Sequence, residues 1–395
     1  MKNELHHLID LKAEAIFQKI KSYREHLHQH PELSFQEFQT MEFVASKLQA
    51  IGIPYVKNVA GTGVVGFIKN EQHTDNMPCL GLRADLDALP IHEENDVSYR
   101  SKTEGIMHAC GHDVHTSVLL GAAEIIWENK DFLSQPVKLI FQPGEETNPG
   151  GASLMIEAGV LENPKVEKMV ALHVFPDFEV GNFGFKEGLY MASNDEIHIQ
   201  IDGVGGHAAL PERCVNPLLM GAEFVLRSSK ITQEKCPQNV PHVLSFGKFE
   251  AEGSTNVIPP IALIKGTFRT MNEAWRAEVH TILDEVATEI ELKYKGKIYL
   301  NFNKGYPFLK NDVPLTRKMK EAFINFFDKQ FIHDMDIRMT SEDFSFYSHQ
   351  VPVCFFRLGV ATKNKEQFGV HHPRFDIDEN ALLLGMKAMT LAAFV

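Results

Sequence analysis

Three short, almost wholly apolar runs each break off into acidic or imidazole side chains, and that arrangement leaves few folds open. Cys79 to Leu82 runs into LRADLDALP (82 to 90), Val137 to Phe141 into FQPGEE (141 to 146), and Met169 to Leu172 into LHV (172 to 174). Runs so short and continuous in hydrophobicity, like the further one from Gly63 to Ile68, read as strands buried on both faces. The helical stretch from Val114 to Trp127 then reads as a crossover between parallel strands. In an open α/β sheet the ligand crevice lies outside the carboxyl ends of the strands, so three polar clusters at three such ends can share one site.

The organisation of the chain fits that reading. Its 395 residues suggest two or three domains. In the first part, Leu8, Ile16, Ile20, Tyr23 and Leu27 fit one helical face. Ser34 and Glu37 form a capping box ahead of a second helix carrying Phe35, Phe38, Met41, Val44 and Leu48. From about 190 to 304 the pattern changes to strand, helix, strand, strand, helix, strand. Ile197, Ile199 and Ile201 alternate, Asn216 with Pro217 opens one helix, and Val243 to Phe249 and Ile261 to Phe268 are strands. Asn272 opens a helix with Trp275, Val279, Ile282, Val286 and Ile290 on one face, and Lys297 to Phe302 closes a split β-α-β-β-α-β unit. Beyond 305 the helix and strand alternation of the first part resumes with Pro314 to Phe327, Val353 to Leu358 and Glu379 to Val395. The expected division is a discontinuous first domain, 1–188 and 306–395, interrupted by a second at 189–305.

Charge and thiol content exclude several roles. Lys plus Arg number 39 against 52 Asp plus Glu, a net charge of −13 that repels phosphate backbones and anionic lipid, so neither nucleic acid nor a membrane is an expected partner. No apolar run approaches the roughly 18 residues of a membrane span, and the charged N-terminal helix pattern lacks a signal-peptide core, so a cytoplasmic location is expected. Five cysteines, scattered and without a C-x-x-C pair, fit reduced thiols.

The candidate chemistry rests on a few side chains. In MHACGHDVH (107 to 115), Cys110 and His112 flank one glycine and can aim a thiolate and an imidazole at one cation, while Asp113 fits a helix cap and His115 a surface histidine. Glu145 and Glu146 follow a strand directly, so one can bind a cation while the other contacts the water it activates. Asp85 can hold a metal-bound imidazole, whereas Asp87 reads as structural. Each also has an ordinary alternative: a buried thiol, an acidic helix start, a satisfied core histidine at His173, or a Gly-rich turn at Gly205, Gly206 and His207. Between His371 and His372 in GVHHPRF the residues alone do not choose.

With RADLDALP, MHACGHD, PGEE, LHV, GGHAALP, NVIPP and GVHHP in this order, the chain resembles the two-metal amidohydrolases related to aminoacylase and carboxypeptidase G. It is most similar to their N-acyl-amino-acid branch, with hippurate hydrolases, acetyl-diaminopimelate deacetylases and auxin-conjugate hydrolases. The resemblance runs from HLHQHPELSFQE (26 to 37) to the final helix. It implies an α/β, zinc-peptidase-like catalytic domain with a mixed, mostly parallel sheet flanked by helices, and an inserted ferredoxin-like α+β lid. It implies two divalent ions per subunit (Zn, Mn or Co), with Cys110 bridging and His112, Glu146, His173 and His371 as the other ligands. Glu145 then looks like the general base, Asp85 like the carboxylate that orients the site, and His207 like the oxyanion-stabilising histidine, often delivered across a dimer. Asn256 and Arg269 match positions that grip the substrate carboxylate.

The implied activity is metal-dependent cleavage of an N-acyl amino acid, a small-molecule substrate, by a homodimer formed through the lid. A dipeptidase or aminopeptidase on the same scaffold, a cysteine hydrolase using Cys110, and a non-catalytic metal-dependent binding protein are the rivals. Three departures from the family pattern stand out. Arg83 replaces a metal-binding His, which implies the Cys-containing ligand set. Gly144 replaces Ala, a change expected to be neutral, and Thr340 replaces Gly in TSEDF, which leaves the role of Glu342 open.

Overall fold

Every one of these apolar runs becomes a strand of one sheet in the computed structural model, which describes residues 2–74 and 77–395. Its strands are β1 (Tyr55–Val59), β2 (Gly63–Ile68), β3 (Cys79–Asp85), β4 (Val137–Gln142), β5 (Val166–Glu179), β6 (Phe183–Phe185) and the later segments Ile332–Asp334 and Val353–Ala361. The order across the sheet is β1, β2, β4, β3, β5, Val353–Ala361, β6, Ile332–Asp334. The middle is parallel, with β3 between β4 and β5 and Val353–Ala361 beyond β5. Antiparallel pairing enters at β1 with β2, β2 with β4, and β6 with Val353–Ala361. The sheet is therefore mixed and mostly parallel. β3, β4 and Val353–Ala361 are buried along their whole length, as strands covered on both faces must be.

Helices α1 (Lys2–Gln29), α2 (Phe38–Ile51) and α3 (His112–Glu128) flank the sheet. α3 packs against α1 and the C-terminal helix Asn380–Ala393, and it is buried nearly all round, which is why its sequence lacks a polar face. The buried stripe of α1 is Ile9, Ala13, Ile20, Arg24 and Leu27, shifted from the one the sequence suggests. Leu8, Ile16 and Tyr23 are only half-buried, because the paired guanidinium of Arg24 takes the inner position. The expected capping box is also absent. α2 begins after Glu37, whose side chain does not cap it, and the Ser34 hydroxyl donates instead to Asp87 (2.6 Å).

The chain divides into two compact units. The first runs to Tyr190 and includes Lys310–Asp336 and Asp343–Val395. The second comprises Met191–Leu309 and Ile337–Glu342, a short return that the sequence reading assigns to the first. Its sheet is antiparallel throughout, in the order His242–Glu250, Ile261–Thr270, Asp195–Asp202, Lys297–Lys304. Helices Pro217–Lys235 and Glu273–Tyr294 complete the β-α-β-β-α-β pattern. Asn216 and Asn272 cap them as the sequence predicts, accepting from the N–H groups of Leu218 and Trp275 at 2.9 Å. Ile197, Ile199, Ile201, Phe224, Phe268 and Trp275 form the core of this unit.

Candidate metal centre and active site

The loop entering α3 sets the geometry. Gly111 has φ +87°, and a β-carbon there would come 2.6 Å from Val174, so only glycine fits. That bend points Cys110 and His112 to the same side. The Cys110 thiol and one ring nitrogen each of His112 and His173 lie within 4.8 Å of one another. Cys110, Glu146 and His371 form a second such group, and His112, Glu145 and Glu146 a third. All five ligand candidates from the sequence thus converge, and the thiol is shared by the first two groups.

His371 and His372 are separated by their surroundings. The backbone N–H of His371 donates to Ala109 O (2.7 Å), with φ +66°, and its Nε2 lies 3.2 Å from Glu146 Oε1. His372 stacks on Phe368 instead. His173 does not end its strand, since β5 continues to Glu179. Its Nδ1–H donates to Val174 O (2.7 Å), which leaves Nε2 facing the Cys110 sulfur at 3.5 Å.

Several residues that sequence reasoning sets aside hold this cluster. Asp87, read as structural, is the carboxylate that meets His112 Nδ1 (3.2 Å), and it also accepts from the Glu146 N–H (2.9 Å) and Ser34. Asp85 lies 3.7 Å from His112 Nε2 and bonds His115 Nδ1 at 2.6 Å. His115 is buried, not on the surface, and its Nε2 accepts the Val174 N–H (3.0 Å), tying α3 to the strand that carries His173. Asp113 is not a cap: Gly111 opens the helix, and Asp113 pairs with Arg24 (2.8 Å) and His28 (2.7 Å). Gly144 is not a neutral exchange for alanine. Its φ is +59°, and a β-carbon would strike the Phe35 ring at 2.3 Å. Glu37 accepts the Gly144 N–H (2.8 Å), so the PGEE turn is gripped from both sides.

The electrostatics call for added positive charge. Burial raises the Cys110 thiol well above its usual range, and Glu146, Glu145 and Asp85 raise it further. Burial opposes charge on His112, but Asp85 and Asp87, with Glu146, push it up to about 10. Asp85, which burial alone would raise, is held far below the carboxylate range by His112, His115 and Arg83. Burial, Arg357 and His115 keep His173 neutral, its ligating form. Among the described residues His112 Nε2 and Glu146 Oε1 are buried and make no hydrogen bond, the 3.2 Å approach of His371 Nε2 to Oε1 lacking hydrogen-bond geometry. A donor set of thiol, imidazoles and carboxylates with orphaned atoms aimed at a common point fits divalent cations of the zinc, manganese or cobalt type.

The remaining candidates belong to the second unit. His207 pairs with Val257 in a two-stranded ribbon, and the N–H of Ala208 bonds Asn256 O (3.0 Å), so His207 and Asn256 share one loop pair. The Ala209 N–H donates to His207 Nδ1 (3.1 Å), which places the ring proton on the exposed Nε2 as a donor. The side-chain oxygen of Asn256, an exposed residue, accepts from the Ser254 hydroxyl (2.9 Å). Arg269 lies in the sheet, half-buried, with Nη1 donating to Met339 O (3.1 Å).

The sequence profile of peptidase family M20/M25/M40 matches residues 81–394. The chain belongs to this family. It is 36% identical over 360 residues to the N-acetyl-L-cysteine deacetylase of Bacillus subtilis, covering 91% of this chain and 84% of that protein. It is 33% identical over 379 residues to the IAA-amino acid hydrolase ILR1-like 4 of Arabidopsis thaliana, covering 95% and 84%. Among solved structures, the Bacillus subtilis YXEP protein, a dinuclear metal binding peptidase from the M20 family, matches with TM-score 0.80 at 31% identity over 96% of this chain and 98% of that one. This M20-family chain is a metal-dependent hydrolase of amide bonds, and its convergent donors suit two divalent ions. Of the supports that sequence reasoning misses in this M20-family site, only His115 leaves a signal, its i, i+3 spacing from His112 within HDVH.

Proposed function

We propose that this M20-family hydrolase cleaves the amide of N-acyl amino acids, with an acetyl, benzoyl or other aryl-acyl group, to a carboxylic acid and a free amino acid. The observation that carries the proposal is the convergence of Cys110, His112, Glu146, His173 and His371, the first, second and fourth of them buried, with buried Glu145 beside them. Relatives along nearly the whole chain that are named for acetylcysteine and for IAA-amino acids support the substrate class.

In this reading those five residues would hold two zinc, manganese or cobalt ions, Cys110 being the donor common to two of the converging groups. When bound, such a pair would polarise the amide carbonyl and lower the pKa of water toward neutral pH. Glu145 takes the proton as the new C–O bond forms and returns it to the nitrogen as the C–N bond breaks. His207 donates its Nε2–H to the developing oxyanion. Arg269 and the Asn256 amide bind the free carboxylate, the guanidinium being suited to it. Asp85 keeps His115 and the ligand strands in register. The enzyme acts as a homodimer through its second unit, whose edge strands His242–Glu250 and Lys297–Lys304 are largely exposed. Five free cysteines fit a reducing, cytoplasmic setting.

The test is amine release from acetyl-, benzoyl- and indoleacetyl-amino acids beside matched dipeptides, with added manganese or zinc and with chelator. Metal-dependent release from the acylated compounds is expected. Release from the dipeptides alone would assign the protein to peptide cleavage instead.

A further inference from the structure

Arg83 lies on β3 two residues before Asp85 and is fully buried. Among its partners, its Nε donates to Gln142 Oε1 (3.0 Å), Nη1 to Asp85 Oδ2 (2.5 Å) and Nη2 to Asp343 Oδ1 (2.7 Å). Asp343 is fixed in turn. The Gln142 amide donates to both of its oxygens (2.9 and 2.8 Å), and the Ala152 N–H to Oδ2 (2.9 Å). The backbone N–H of Asp343 then donates to Glu145 Oε1 (3.3 Å). Gly151, the neighbour of Ala152, donates its N–H to Gly144 O (2.9 Å), closing the network on the turn that carries Glu145.

One guanidinium therefore stands between two arms. Through Asp85 it meets His115 and the ligand cluster, and through Asp343 it meets the base. Asp85 and Asp343 are both buried, and the guanidinium that bonds both offsets part of the cost of taking their charges out of water. A planar fork also fixes the distance and angle between the two carboxylates, which the single ammonium of a lysine does not.

We propose that Arg83 is a positioning residue for the reaction: acting through Asp343 and Gln142, it sets the carboxylate of Glu145 against the ligand cluster. The inference rests on Glu145 being the base. Misplacing a reacting group by about 1 Å costs on the order of 100-fold, so the effect belongs in kcat.

The test uses full-length protein loaded with manganese and two variants. Arg83→Lys keeps the charge and loses the fork; Gln142→Met removes one strut without stranding a charge, and serves if Arg83→Lys does not fold. The expected result is a kcat loss of about 10- to 100-fold for Arg83→Lys and roughly 10-fold for Gln142→Met. KM stays within about twofold, metal content stays at the wild-type value, and neither substitution lowers turnover further in a Glu145→Gln background. Unchanged kcat in both folded, metal-loaded variants would overturn the proposal. So would loss of metal as the cause of the defect, or full additivity with Glu145→Gln. Absence of metal-dependent hydrolysis in the wild-type protein would sink the functional reading itself, a result distinct from all of these.

Discussion

The two units present their chemistry in opposite states. In the first, Cys110, His112, Glu145 and His173 are each at least nine-tenths buried, and their neighbours Asp85, Asp87 and His115 already occupy fixed hydrogen bonds. In the second, His207 and Asn256 are exposed on a two-stranded ribbon, each steadied by a short-range bond to its own loop. Burial among like charges organises a site that must hold cations before any substrate arrives. Exposed donors on a ribbon suit groups that engage only when a carbonyl or carboxylate is present. In the proposed function this difference would separate residues that make the centre from residues that read the substrate.

Cys110→Ala attacks the first set where two ligand groups overlap. It is expected to lose at least one metal ion per subunit and nearly all turnover, by metal analysis and amine release; full metal content would remove Cys110 from the bridging position. His207→Ala should leave metal content and melting temperature unchanged while kcat falls about 100- to 1000-fold, the loss typical of one oxyanion donor. A parallel loss of metal would erase the contrast between the units. Arg269→Ala should mainly raise KM, by roughly 10- to 100-fold for a lost charge-assisted contact, with amide analogues lacking the free carboxylate unaffected.

The smallest effect concerns stability alone. In the second unit burial would raise the Asp195 carboxyl, yet Arg276 and His280 hold it below the ordinary range. Its contribution is fully present above the unfolded aspartate value of about 4 and is lost as pH falls through the lower folded value. Asp113 in the first unit is held lower still by Arg24 and His28 against its burial, so its contribution persists further into acid. Hydrogen exchange during acid titration should therefore show the strand carrying Asp195 opening before α3, and Asp195→Asn should flatten the second unit's response as pH falls below about 4. Simultaneous opening would contradict it.

The sequence reading reaches the strands and the order of elements in the second unit because apolar runs are local properties, whereas the set of five donors, with His371 preferred to His372, follows from the family resemblance and not from the residues alone. It fails where the answer depends on what lies across the sheet. Asp87 loses to Asp85 as the partner of His112 because a two-residue offset puts both at the same strand end, and only the three-dimensional path of the loop selects between them. His115 reads as surface because nothing nearby in sequence announces that α3 is covered on every side. The Gly144 exchange reads as neutral because its positive φ and the Phe35 ring above it are set by separate segments. The Ser34 and Glu37 pattern meets the rule for a cap, but Asp87 and Gly144 claim those side chains.

In the proposed mechanism one unit carries both the cations and the proton carrier, with the two roles on adjacent residues. Glu145→Gln tests it directly when metal content and turnover are measured on the same preparation. Two bound ions per subunit and almost no amine release from an N-acyl amino acid are expected. Near-normal turnover, or loss of both ions with the substitution, would contradict it.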